Sequence, residues 1–305
     1  MSAKILDLNG KFRMEDLSNV GFQATELGNA YKLLCKMISE KPECKIFLTF
    51  TANMVASGIR GCITKLCSKK FADVVITTAG ALEHDFIKCY ADYELIKNSI
   101  SDEKLHKEGY NRIWNIKISN KCYEIFEEKI WKIFKKRKKF TPNILAEEMG
   151  KFLIEDENAN KKNSFLVSCY KNKIPIFCPG ITDGAIGLNA YFYKQENKEF
   201  EIEVTEDLKK LADIILNAEK TAALILGGGI SKHHCIGANI LREGLDYAVY
   251  ISTSMPFDGS LSGARAEEAI SWSKLAEKAN YANVVCDVSI VLPFIVKQLE
   301  EDKLL

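Results

Sequence analysis

Lys274 stands in the stretch EEAISWSKLAEKA, beside a tryptophan and small apolar residues. A lysine desolvated by such neighbours has a lowered pKa, and its free amine is then available for imine chemistry. On an amphipathic helix the same residue is ordinarily solvated, and spacing alone does not separate the two uses. If the stretch is helical, Glu268 and Trp272 are i,i+4 neighbours that put a carboxylate and an aromatic face on one side. That combination suits an aliphatic ammonium through charge pairing and cation–π contact, although ordinary amphipathic surface has the same pattern. His233 and His234 follow the glycine run Gly227 to Gly229, at the expected start of a helix. Adjacent helical side chains diverge by about a hundred degrees, so these histidines and Cys235 make a poor chelate and no metal is expected. A single imidazole near a helix N-terminus is kept neutral by the dipole, which suits a general base; a structural histidine is the commoner use of the residue.

A second set of candidates follows short apolar runs: KIFLTFT (Lys45 to Thr51), VVITT (Val74 to Thr78), IPIFC (Ile174 to Cys178), AALILG (Ala222 to Gly227), YAVYIS (Tyr247 to Ser252) and NVVCD (Asn283 to Asp287). Behind them come Ala52-Asn53-Met54-Val55-Ala56, then Thr78-Ala79-Gly80 with Glu83-His84-Asp85, then Thr182-Asp183-Gly184, Gly227 to Gly229, Thr253-Ser254 with Asp258-Gly259-Ser260, and Asp287. Small residues let backbone amides approach a phosphate or ribose, and hydroxyls and carboxylates hold ribose oxygens or a cationic group. No GxGxxG follows any of these runs and no GxxxxGK[ST] is present, so ordinary dehydrogenase and NTPase readings lose their main support.

The runs themselves say what must carry these residues. They are continuously apolar rather than alternating, as strands buried on both faces require, and they alternate with helical segments. We therefore expect an α/β fold, a Rossmann-like doubly wound and mainly parallel sheet with helices on both faces, over residues 1–305 as one domain. Its ligands would bind outside the carboxyl ends of the strands. Thr205 followed by Glu206 and Asp207, and Thr141 followed by Pro142, read as helix starts. Asp156 to Asn163 and Lys194 to Lys198 read as surface loops.

Composition bounds the rest. With 47% hydrophobic and 27% charged residues, and 42 basic against 41 acidic side chains, the 305-residue chain has the balance of a soluble globular protein. A net charge of +1 excludes whole-molecule attraction to nucleic acid. The ten cysteines are scattered through apolar runs without a CxxC, as thiols of a reducing compartment are, so no structural zinc is expected and the cytoplasm is the expected location. The N-terminal stretch MSAKILDLNGKFRMEDL lacks a signal-peptide core, and no run approaches the roughly 20 residues needed to span a bilayer. The basic run Lys135 to Lys139 reads first as a solvated helix end and second as a landing patch for an acidic macromolecule.

The segments GFQATELG, FTANMVASGIR, TTAGALEHDFIK, GYNRIWNI, IPIFCPGITDGAIG, LILGGGISKHH, DYAVYISTSMPFDGSLSGARAEEAISWSK and VVCDVS, in this order along nearly the whole chain, resemble the deoxyhypusine synthase family. The resemblance implies an NAD-dependent homotetramer with active sites at dimer interfaces. It also implies transfer of the 4-aminobutyl group of spermidine to one lysine of the translation initiation factor five-A precursor, through an imine on an enzyme lysine. Lys274 matches that nucleophile and His233 the histidine beside the polyamine. NAD would contact Ala52, Asn53, Met54, Val55, Ala56, Thr78, Ala79, Gly80, Asp183, Gly228, Thr253, Ser254, Asp287 and Val288. The polyamine would contact Glu83, His84, His233, Gly259, Ser260, Glu268, Trp272 and Lys274. His84, Leu188 and Leu261 depart from the acids of the better-known eukaryotic members, so the polyamine would be held differently or another amine used. Two further readings stay open: an aminobutyl transferase with a small-amine acceptor, as in homospermidine synthesis, and an NAD-binding regulatory paralogue. The short N-terminus fits the branch without the eukaryotic extension.

Overall fold

All six apolar runs become strands of one sheet in the computed structural model, which describes residues 3–7, 10, 12–97 and 99–305. The N-terminal stretch read for a signal sequence lies partly outside the described residues. The strands are β1 (Cys44–Thr49), β2 (Val74–Ile76), β3 (Ile176–Phe177), β4 (Lys220–Leu226), β5 (Leu245–Ser252) and β6 (Leu275–Val285). Their spatial order is β6-β5-β4-β1-β2-β3, and every neighbouring pair is parallel. This is the Rossmann-like doubly wound order: the chain moves outward from β1 to β3, returns to β1's other flank at β4, and moves outward again. The topological switch point falls between β1 and β4.

Alternating residues explain why the runs are continuously apolar. Ile46 and Leu48 of β1 and Leu224 of β4 enter one core, whereas Phe47, Ala223 and Ile225 enter the core on the opposite face. Both faces are covered, so neither set of side chains is free to be polar.

A smaller antiparallel sheet, not anticipated above, places Ile116–Ser119 between Glu94–Leu95 and Tyr110–Ile113. Its strands are short and half exposed, so they carry no long apolar run to betray them. Thr141 caps its helix as expected, accepting the Ile144 amide at 3.2 Å with Pro142 in the first turn. Thr205 does not use its side chain as a cap; its hydroxyl donates to Glu203 instead. Residues 194–196 are helical rather than loop, as the last turn of Ala185–Glu196.

The stretch around Lys274 is the main correction. Its helix spans only Ala266–Ile270; Ser271 to Ser273 form a turn, with Ser273 at a left-handed φ of 54°, and Lys274 precedes β6. The Lys274 amide closes that turn on the Ala269 carbonyl at 2.9 Å. Glu268 and Trp272 therefore do not share a helical face. Two serines and a lysine beyond Ile270 offer no apolar repeat to continue the helix, and the strand's register with β5 wins.

Four of the five residues of the basic run, Lys136 to Lys139, are paired within the chain, and the run is exposed after the helix Asn120–Phe134. Lys136 and Arg137 reach Glu148, Lys138 reaches Glu199, and Lys139 reaches Glu201 and Glu206. All ten cysteines are free thiols. Among the described residues, no helix is long and apolar enough to cross a membrane and no three His, Cys, Asp or Glu side chains are grouped to hold a metal ion.

Candidate active site

A cleft of about 390 Å³ opens at the switch point. Its walls come from the residues at and beyond the carboxyl ends of β1 (Thr51, Asn53, Met54), β4 (Gly227, Gly228), β5 (Ser252 to Ser254) and β6 (Asp287 to Ser289). Two longer helices, Gly229–Ala238 and Val288–Glu301, begin at it. The positive φ of Gly227, 80°, turns the chain out of β4, and a Cβ there would sit 3.0 Å from the Met54 methyl. Seven of the expected cofactor residues line this cleft: Asn53, Met54, Gly228, Thr253, Ser254, Asp287 and Val288.

The others lie elsewhere. Val55 and Ala56 are buried in the core side of the helix Ala52–Ala56. Gly80 packs on that helix, since a Cβ at residue 80 would come within 2.9 Å of the Ala52 Cβ, and Ala79 is buried behind it. Thr78 precedes the helix Ala79–Ile87, and its buried hydroxyl finds no hydrogen-bond partner among the described residues. Asp183 is exposed, close enough for its charge to oppose ionisation of Glu83.

Lys274, His233 and Trp272 form a second cluster outside the cleft. The Nζ of Lys274 lies 3.3 Å from Nε2 of His233 and 5.0 Å from the centre of the Trp272 ring. His233 sits one turn into the helix that starts at Gly229, whereas Lys274 reaches it from the start of the edge strand β6, where its carbonyl accepts the Leu245 amide at 3.1 Å. Burial and then the Lys274 cation hold the His233 pKa below its usual value, so its imidazole is neutral at pH 7. A neutral ring protonated on Nδ1 leaves Nε2 free to accept a proton from the lysine. Trp272 is 69% exposed, so the cluster opens to solvent. Glu268 spends one carboxylate oxygen on the Arg265 amide at 3.1 Å, capping its own short helix.

Glu83 and His84 are both buried. Glu83 accepts the Ile186 amide at 2.8 Å, and burial outweighs that bond, raising its pKa to about 7. His84 faces Tyr93, with Nδ1 2.8 Å from the phenol oxygen and its pKa pushed down to about 4, chiefly by burial. Gly259 and Ser260 lie on an exposed loop. Leu188 is exposed, and Leu261 packs partly buried against the core beside the helix carrying His233.

Two features escaped the sequence reading. Lys232, next to His233 and almost fully buried, donates to the carbonyls of Leu261 (2.9 Å) and Ala264 (2.6 Å) and lies over the Tyr250 ring. It thereby ties the Ser260 loop to the helix carrying His233; adjacency to two histidines was its only signal. The hairpin turn Ile113 to Ile116, inside the segment GYNRIWNI, supplies one wall of the cleft. Only its nearness in space identifies it.

A doubly wound sheet with a polar crevice at its switch point, and a lysine and histidine in contact outside that crevice, define an α/β protein of the Rossmann-like class. The family model for deoxyhypusine synthase matches residues 14–299, and the chain belongs to that family of transferases. It is 41% identical over 292 residues to a protein of Methanocaldococcus jannaschii described as a probable deoxyhypusine synthase, covering 91% of this chain and 88% of that one. A relative of the same description from Thermoplasma acidophilum is 40% identical, covering 92% and 90%. The crystal structure of an Entamoeba histolytica protein, provisionally described as a deoxyhypusine synthase, superposes with a TM-score of 0.65 at 27% identity, covering 93% of this chain and 91% of that one.

Proposed function

We propose that this chain is an active deoxyhypusine synthase that moves the 4-aminobutyl group of spermidine to a lysine of the translation initiation factor five-A precursor, with NAD as cofactor. The observation that carries this reading is the 3.3 Å contact between Lys274 and His233 beside an exposed indole. A regulatory paralogue has no use for a lysine held against a neutral imidazole.

The cleft residues fit NAD. Hydroxyls of Thr51, Thr253, Ser254 and Ser289, the glycine backbone at Gly227 and Gly228, and the Asp287 carboxylate form the donor and acceptor set a dinucleotide needs. Bound there, NAD would supply the reversible oxidation that converts the amine carbon of spermidine into an imine and later reduces the product imine. Lys274 provides the amine that captures the aminobutyl group, releasing 1,3-diaminopropane, and an incoming lysine then displaces it at little cost because one amine replaces another. His233 takes and returns the proton on Nζ at each exchange. Trp272 flanks an aliphatic cation, and Glu83 gains a partner when an ammonium enters. Lys274, His233 and Trp272 are absent from the cleft lining, so we further propose that a second copy completes the site, in a homotetramer working in the cytoplasm.

The test is to incubate the protein with NAD and isotopically labelled spermidine, trap with borohydride and map the added mass. Label on Lys274 supports the mechanism; its absence in protein that still turns over spermidine overturns it. Supplying either the factor precursor or putrescine shows which acceptor is labelled, and labelled putrescine alone would move the chain to the homospermidine type.

A further inference from the structure

We infer that Trp114 is a stacking platform for a heteroaromatic ring of the nucleotide held in the cleft. This rests on the dinucleotide reading above and names a residue that the reading does not contain. Trp114 and Asn115 form the two-residue connection between the strands Tyr110–Ile113 and Ile116–Ser119, and Trp114 sits there at a φ of 53°. Only the first of the two residues has positive φ, the sign pattern of a type II′ turn, whose first position ordinarily goes to glycine. For a bulky side chain that conformation is strained, and strain of this kind persists where the surroundings enforce it, often at a binding site.

The hairpin that carries it is anchored on both strands. Arg112 ties the hairpin to Asp102 at 2.5 Å and to the Ile100 carbonyl, and Lys117 on the other strand pairs with Glu94 and lies over the Tyr110 ring. The indole gains nothing from the fold in return, being 75% exposed with no ring contact or side-chain hydrogen bond among the described residues. What it does have is a place in the cleft wall, where it is the sole aromatic among the lining residues, in a cleft that the glycine backbone at Gly227 and Gly228 and the hydroxyls of Thr253 and Ser254 also line. A nucleotide would thus find in one cleft both polar partners for its phosphates and riboses and a flat apolar face for a base. Aromatic stacking suits that face because every nucleobase, and the nicotinamide ring, offers a π surface.

The experiment is calorimetric titration of wild type, Trp114→Gly and Trp114→Phe with NAD, ADP-ribose and nicotinamide mononucleotide, alongside the thermal midpoint of each unliganded protein. Relief of backbone strain raises the midpoint of Trp114→Gly by about 2 °C. In the same variant NAD binding weakens roughly tenfold, about 1.4 kcal/mol, while Trp114→Phe stays within about threefold of wild type. Whichever half-ligand loses affinity identifies the stacked ring. Equal NAD affinity in wild type and Trp114→Gly overturns the inference while leaving the dinucleotide reading in place. A lower midpoint with dissociation of the assembly also overturns it, by making the indole an intersubunit contact. Failure of every form to bind NAD overturns the reading and the inference together.

Discussion

Glu83 and Gly184 share one space: a Cβ on residue 184 would lie 2.5 Å from Glu83 Oε1, the oxygen that accepts the Ile186 amide at 2.8 Å. Gly184 also has a φ of 150°, so a side chain there is strained as well as crowded. Gly184→Ala should displace the carboxylate and cost about 1–3 kcal/mol, read as a lower midpoint in urea unfolding. An unchanged midpoint would mean that the turn relaxes freely and that Glu83 is not held by it.

The same carboxyl makes stability depend on pH. Burial raises Glu83 from 4.5 to about 7, so the folded state keeps a proton that the unfolded chain releases. Its favourable contribution is complete below about pH 4.5 and is lost as pH rises through about 7. Glu83→Gln should therefore stabilise the protein by about 1–3 kcal/mol at about pH 8 and change little near pH 4.5. Spermidine should narrow the gap at the higher pH, because an ammonium favours the ionised form. A constant difference across the range would remove Glu83 as the titrating group.

Asp85, two residues on and fully buried, is a structural hub. It accepts from Arg60 at 2.6 Å, from the Ser164 hydroxyl at 2.6 Å and from the amides of Phe165 and Leu166, which open the helix Phe165–Asn172. Asp85→Ala strands the buried guanidinium and uncaps that helix, so a loss of about 3–5 kcal/mol is expected by chemical denaturation. A loss below about 1 kcal/mol would show that water reaches Arg60.

What the sequence made legible follows the range over which each signal acts. The six strands could be read because burial on both faces leaves an unbroken apolar run, as in Phe47 flanked by Ile46 and Leu48. Their carboxyl ends then located the cleft without any structure. Lys274 was found but placed on the wrong element, since its turn depends on the left-handed Ser273 and on pairing with β5, neither of which leaves a local pattern. Lys232 and Trp114 were missed for a related reason. A buried lysine and an exposed tryptophan look alike in a sequence until the Ser260 loop and the hairpin are brought beside them. The basic run, read first as a solvated helix end, does follow the helix Asn120–Phe134 and is exposed, but the acids that pair with it, Glu148, Glu199, Glu201 and Glu206, left no local signal.

The contact between Lys274 and His233 leads to a measurement that does not require turnover. Burial and then the lysine's positive charge depress the imidazole pKa, and only the second of these disappears when the charge is removed. Lys274→Met should consequently raise the His233 pKa, while leaving it below the ordinary 6.5 because burial persists. Lys274→Arg keeps a cation in place and should preserve most of the depression. Proton NMR titration of His233, assigned through a His233→Gln variant, reads both shifts. The same His233→Gln protein should form the borohydride-trapped spermidine adduct on Lys274 about 10²–10³-fold more slowly, with NAD affinity unchanged. If Lys274→Met leaves the imidazole where it was, the two side chains do not meet in solution, and the proton exchange assigned to them has no path.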